Sequence, residues 1–370
     1  MSFSKNIIFI ALVLTIVLIS AVLIYRSQQP LKIGVIYYSS EFFGPTGVPR
    51  ITELLNNNKN ISKKVNIYYA ALTEQGDNVQ DVISSFYKKG INIIIGPTTS
   101  SQAQKILPYL ERYNMLAIAP EVTSPSVLGV SDNLYSIVPS DRVLADIMAE
   151  LIFQDKINKV GIFYDSNNPI FSKTFINYFK QNYQGTVSFT GEVKGIEFYS
   201  DYESLKSIDG ILLLTSPMQS AILVQRLKKI NPDIKFYGGD YSNSKALIEY
   251  GGEAAEGIKI FSLYDKVYFE TYNNTFAKSL EKRGILPCQD FINYYDAILL
   301  AINLVNSYGN DVDNLKEHIK EYTFEGIGGT IYISEDGLVY RKISILTVNN
   351  SRFVTDRVIN TERGRRHGKK

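Results

Sequence analysis

Ile91-Asn92-Ile93-Ile94-Ile95 runs into Gly96-Pro97-Thr98-Thr99-Ser100-Ser101, and Met115-Leu116-Ala117-Ile118 runs into Ala119-Pro120-Glu121-Val122-Thr123-Ser124-Pro125. In both places an apolar β-type run ends in a hydroxyl-rich loop. In an α/β sheet such loops lie at the carboxyl ends of strands, where ligands bind. The first loop also opens a helix, whose unpaired N–H groups and positive dipole end favour an anion. Neither loop carries a catalytic base. The pair reads as a binding site.

The same alternation continues on both sides. Strands are expected over Lys32–Tyr38, Val65–Leu72, Ile91–Ile95, Met115–Ile118 and Leu134–Val138. A second run follows over Lys159–Tyr164, Thr186–Val193, Gly210–Leu214, Lys235–Tyr237 and Gly257–Phe261. These segments are short, Ile/Val-rich and apolar on both faces, as buried parallel strands are. Amphipathic helices separate them. One has Ser216 as its N-cap and Pro217 in its first turn. Long helices are expected near Val267–Lys282 and Asp290–Ser307, and Pro108 is expected to kink or restart the helix after Ser100. Two runs of β/α alternation imply two doubly wound parallel sheets. The alternating stretch Gly328–Val348 reads as a strand pair.

With these elements placed, the chain resembles the type I periplasmic binding proteins, in particular the branched-chain amino-acid and amide receptors. The resemblance spans about residues 31–355. Its markers are the two loops above, then Ile137-Val138-Pro139-Ser140-Asp141, Lys159–Asp165, Phe236-Tyr237-Gly238-Gly239-Asp240 and Phe324–Ile331. It implies an α/β fold of two doubly wound lobes, residues 31–138 plus 263–336 and residues 139–262 plus 337–356, joined by a three-crossing hinge. The crossings fall near Pro139, Leu263-Tyr264 and Gly337. By the same resemblance Ser100 and Thr123 hold a ligand carboxylate, helped by backbone N–H groups around Thr99 and Val122, and Asp240 receives an ammonium. Tyr38, Phe171 and Tyr241 enclose the ligand side chain, and Ser216 stands where an aromatic often covers it. Glu121 departs from the pattern. Beside an anion pocket it either points away or implies a cationic or neutral ligand.

The implied function is an extracytoplasmic solute receptor that delivers an amino acid or related amide to an ABC permease. A membrane-anchored sensor using the same cleft for an amide or cation is the alternative. An enzyme is not expected, because the sequence has no nucleophile elbow, phosphate loop, dinucleotide fingerprint or metal cluster. No cofactor is expected. A net charge of +2 gives no basis for a nucleic-acid surface. Cys288 is the one cysteine, so no internal disulfide exists.

Residues Ile7–Tyr25 carry no charge, and at about 1.5 Å per residue they cover roughly 28 Å, close to a bilayer core. Val22-Leu23-Ile24-Tyr25-Arg26 is a poor cleavage exit. Residues 1–30 therefore read as a membrane anchor or signal segment, with the soluble part outside the cytoplasm. Residues 357–370 read as a basic, disordered tail.

Overall fold

The computed structural model describes residues 13–15, 17–18, 30–38, 47–55, 64–73, 76–195, 197–198 and 205–362. Among these no helix is long and apolar enough to cross a membrane. The anchor expected over residues 7–25 lies outside the described residues, apart from helical residues 13–15 and 17–18.

The first apolar runs build one sheet. It holds β1 (Leu31–Tyr38), β2 (Val65–Leu72), β3 (Ile93–Ile95), β4 (Leu116–Ala119) and β5 (Leu134–Ser136), all parallel, in the order β2-β1-β3-β4-β5. Helices α1 (Thr52–Leu55), α2 (Val79–Lys88) and α3 (Ser100–Arg112) connect successive strands. Helix α3 runs through Pro108 without restarting. Its ring leaves the Gln104 carbonyl without a helical donor, but both residues lie on the exposed face, open to solvent.

The next run repeats this plan. Helix α4 (Asp141–Gln154) leads to β6 (Lys159–Asp165), α5 (Pro169–Asn182), β7 (Thr186–Lys194), β8 (Glu197–Phe198) and β9 (Gly210–Leu214). Helix α6 (Pro217–Ile230), β10 (Lys235–Gly238), α7 (Lys245–Gly251) and β11 (Lys259–Ser262) follow. The parallel part is ordered β7-β6-β9-β10-β11. In both sheets the first strand lies between the second and third. That places a topological switch point, and hence a crevice, at the carboxyl edge of each sheet.

The chain then returns to the first sheet. Helices α8 (Lys266–Tyr272), α9 (Asn274–Glu281), α10 (Gln289–Tyr308) and α11 (Val312–His318) come next, and α10 packs on β3 and β4. The helix expected over Val267–Lys282 is broken at Asn273, whose side chain turns to donate to the Ile327 carbonyl at 3.0 Å. Hairpin β12 (Thr323–Gly326) and β13 (Gly329–Ile333) pairs with the start of β14 (Val339–Asn349). The rest of β14 lies antiparallel between β11 and β15 (Arg352–Asn360). Residues 357–360 therefore correct the tail expectation, because Lys342–Ile345 of β14 offers them a backbone partner and Ile359 packs on the core. Residues 363–370 lie outside the described residues.

Candidate functional site

Between the carboxyl edges of the two sheets lies a cavity of about 430 Å³. One wall is made by Thr98, Thr99 and Ser100 after β3 and by Glu121 and Thr123 after β4. The facing wall is made by Asn168 and Phe171 around the start of α5 and by Asp240 and Tyr241 after β10. The N-cap Cys288 and the first residues of α10, Gln289 and Asp290, close one side.

Gly96 allows the first loop to form. Its φ is +116°, and a Cβ there would lie 2.4 Å from the Ile36 carbonyl oxygen. Beyond it, Thr99 Oγ1 caps α3 by accepting the Gln102 N–H at 3.2 Å, and Ser100 Oγ accepts the Ser124 N–H at 3.3 Å. Both hydroxyl oxygens act as acceptors in these bonds, so each retains a proton to donate. Thr98 differs. Tyr294 gives its own proton to the Ile36 carbonyl at 2.7 Å, so the 2.7 Å contact between Thr98 and Tyr294 takes the threonine proton.

The two walls touch. Ser101 donates from both N and Oγ to Asn168 Oδ1, at 3.2 and 3.0 Å, and Asn243 Nδ2 donates to Gln289 Oε1 at 3.1 Å. Tyr241 is oriented from behind, because its hydroxyl donates to Asp165 Oδ2 at 3.1 Å. Its ring centroid lies 6.0 Å from that of Phe171.

Electrostatically the cavity is acidic. Glu121 Oε1 accepts hydrogen bonds from Gln289 Nε2 and Asn293 Nδ2, both at 3.3 Å. Burial, and then the nearby charges of Asp290 and Asp240, hold the Glu121 pKa well above the ordinary carboxylate range. Burial raises Asp290 to about 6, partly opposed by its hydrogen bond with Glu121. Burial raises Asp240 to about 7, against the pull of nearby backbone N–H groups. Asp240 is 8 % exposed, and its Oδ1 has no hydrogen-bond partner among the described residues. Behind Thr123, buried Asp141 is also raised by desolvation, with the Thr123 hydroxyl opposing the shift. The lining lysines are engaged on their own helices, Lys245 with Glu249 at 2.6 Å and Lys266 with Glu270.

A profile of the receptor family ligand binding region matches residues 52–351. The chain belongs to that family. Solved structures agree in fold. The branched-chain amino acid transporter substrate binding protein LivJ from Streptococcus pneumoniae, in complex with isoleucine, superposes with a TM-score of 0.80 at 18% identity, over 90% of this chain and 100% of that one. The leucine binding protein LivK of Thermotoga maritima gives 0.75 at 21% identity, over 90% and 99%. A benzoate-bound ABC transporter solute binding protein from R. palustris gives 0.76 at 16%, over 89% and 96%. In sequence, the penicillin-binding protein activator LpoA of Histophilus somni is 24% identical over 267 residues, 69% of this chain. The chain spans only 43% of that relative's length.

Within this receptor family ligand binding region, the structure brings together Thr99, Ser100, Glu121, Thr123, Phe171, Asp240 and Tyr241 around one cavity. Glu121 does not point away. Val122 and Ser216 do not line the cavity. Val122 is fully buried in the core of the first sheet. Ser216 caps α6 in a reciprocal pair with Gln219, whose amide supports Asp165 at 3.2 Å, so it stands behind Tyr241. Tyr38 ends β1, and its side chain lies outside the described residues. The sequence reading missed Asn168, Gln289 and Asp290. An acid in the first turn of α10 reads locally as a complement to the helix dipole, and nothing around it signals a cavity. The family is defined by ligand binding and not by catalysis.

Proposed function

We propose that this chain is an extracytoplasmic solute-binding receptor that closes around a small amino-bearing ligand, most simply an amino acid, and delivers it to an ABC permease. The observation that carries the reading is the unpartnered Asp240 Oδ1, buried across the cavity from the Thr99 and Ser100 hydroxyls. A zwitterion needs an acid at one end and donors at the other. Residues 31–138 plus 263–336 act as one lobe and residues 139–262 plus the C-terminal strands as the other. Hinge motion at the three crossings opens and closes the cleft. The parallel sheets and the packing of α10 on β3 and β4 support this division. The uncharged run Ile7–Tyr25 supports tethering to the membrane, and the receptor's place outside the cytoplasm is part of the solute-receptor reading.

A thermal-shift screen with amino acids, amides and amines tests the reading, since a bound ligand raises apparent stability by mass action. Calorimetry with the best ligand then compares the wild type with Asp240→Asn. The expected loss is about 2–5 kcal/mol of affinity. Unchanged affinity removes the ammonium assignment. The same lobes acting as an anchored sensor predict identical binding, and dependence of ligand uptake on this protein separates delivery from sensing.

A further inference from the structure

The wall opposite Asp240 carries an acid site of its own. Glu121 follows β4, Asp290 lies in the first turn of α10, and both carboxyl groups line the cavity. The amides beside Glu121 have one possible orientation. Gln289 Oε1 already accepts from the Leu263 N–H at 2.8 Å and from Asn243 Nδ2 at 3.1 Å. Asn293 Oδ1 accepts from Arg341 Nη1 at 3.3 Å. Both NH₂ groups must therefore point at Glu121 Oε1, which is held as an acceptor. This surrounding is built to keep a carboxylate oxygen facing the cavity.

Four acids line the cavity; Glu249 is paired with Lys245, and the other three meet the ligand, Glu121 and Asp290 from one side and Asp240 from the other. The two lining lysines are paired with glutamates on their own helices. A ligand with a single ammonium at Asp240 and a carboxylate at the hydroxyls brings no net charge. With Glu121 held protonated by burial, the pair presents the Asp290 charge, and such a ligand leaves that charge uncompensated.

We infer that the cavity selects ligands bearing two cationic nitrogens, one received by Asp240 and the other by the Glu121–Asp290 pair. This rests on the solute-receptor reading above and narrows its ligand class to compact diamino compounds. A diamino acid would also use the Thr99 and Ser100 hydroxyls; a simple diamine would not.

The test is calorimetric titration of the full chain with L-lysine, L-ornithine, cadaverine, and the single-cation counterparts norleucine and norvaline. Lysine or ornithine, or cadaverine, should bind about tenfold or more tighter than the single-cation compounds, the effect of one added hydrogen bond to a charged group. Lysine tighter than cadaverine identifies the diamino acid, and the reverse identifies the diamine. Glu121→Gln and, independently, Asp290→Asn should bring the ratio of lysine to norleucine affinity toward one; the ratio is the readout, so a general change in binding cancels, and an unchanged ratio in both variants overturns the inference. Norleucine or norvaline binding as tightly as the diamino compounds overturns the inference and leaves the receptor reading standing. Failure of every amino compound to bind overturns both. The wild-type comparison needs no variant, so a misfolded substitution does not blunt it.

Discussion

Glu121 and Arg341 are joined through a single amide. Asn293 donates from Nδ2 to Glu121 and accepts from Arg341 on Oδ1, each at 3.3 Å. Arg341 in turn donates to the Ile137 carbonyl at 3.3 Å and the Gly328 carbonyl at 2.9 Å, and lies 3.6 Å from Asp296. Ile137 follows β5 of the first sheet and Arg341 lies near the start of β14 of the second, so this guanidinium ties the end of one sheet to a strand of the other. The cavity acid is thereby connected to the contact between the two sheets.

Replacing Asn293 by leucine keeps the approximate volume and removes both bonds. Arg341 Nη1 then loses an acceptor and Glu121 a donor, in a region where water has little access. Asn293→Leu should lower stability by about 1–3 kcal/mol. Urea denaturation of the ligand-free protein measures this, and an unchanged midpoint would show that the bridge contributes nothing.

The Arg341–Asp296 pair is fully buried. Asp296 also accepts the Ile327 and Gly328 N–H groups at 2.6 and 3.0 Å, so its charge is held in place from two sides. Arg341→Met strands that carboxylate and should cost about 3–5 kcal/mol, more than the pair itself contributes. Asp296→Asn in the same background should recover part of the loss. If Arg341→Met unfolds at the wild-type denaturant concentration, the pair contributes nothing to the fold.

Burial raises Asp240 to about 7, and Asp290 and Asp296 to about 6, from an ordinary value of 3.8. The folded protein therefore holds protons that the unfolded chain releases near pH 4. Stability from these groups is fully present below that pH and falls as pH rises through about 6 to 7. The ligand-free protein should melt at higher temperature at pH 5 than at pH 7.5. Asp240→Asn, which keeps the shape without the proton equilibrium, should flatten the upper part of that fall. A melting temperature that climbs from pH 5 to 7.5 in the wild type contradicts this account.

Gly96→Ala should displace the first hydroxyl loop. The φ of +116° is unfavourable for alanine, and the added carbon meets the Ile36 carbonyl oxygen at 2.4 Å. A loss of more than about 1 kcal/mol is expected, together with weaker binding of ligands that use Ser100. Denaturation and titration of the variant check both, and wild-type values in each would show that the loop tolerates a side chain.

The sequence by itself determined the elements and their repetition. Apolar runs such as Ile93–Ile95 and Leu212–Leu214 read as strands because only buried parallel strands bring such side chains to both faces of a short segment. The hydroxyl loops and Asp240 were legible for a local reason, since each directly follows such a strand and so lies at a sheet's carboxyl edge. The rest required the tertiary fold. Glu121, Asp290 and Asp240 are far apart along the chain and meet because two sheets face each other and α10 returns to the first. Ser216 is by sequence equally a helix cap and a cavity residue; its bond from the Gln219 N–H decides for the cap. Backbone periodicity is a property of neighbouring residues, and it is written in every segment. The charge of a cavity is a property of residues from separate segments, and only packing that excludes water from between them gives it an energy.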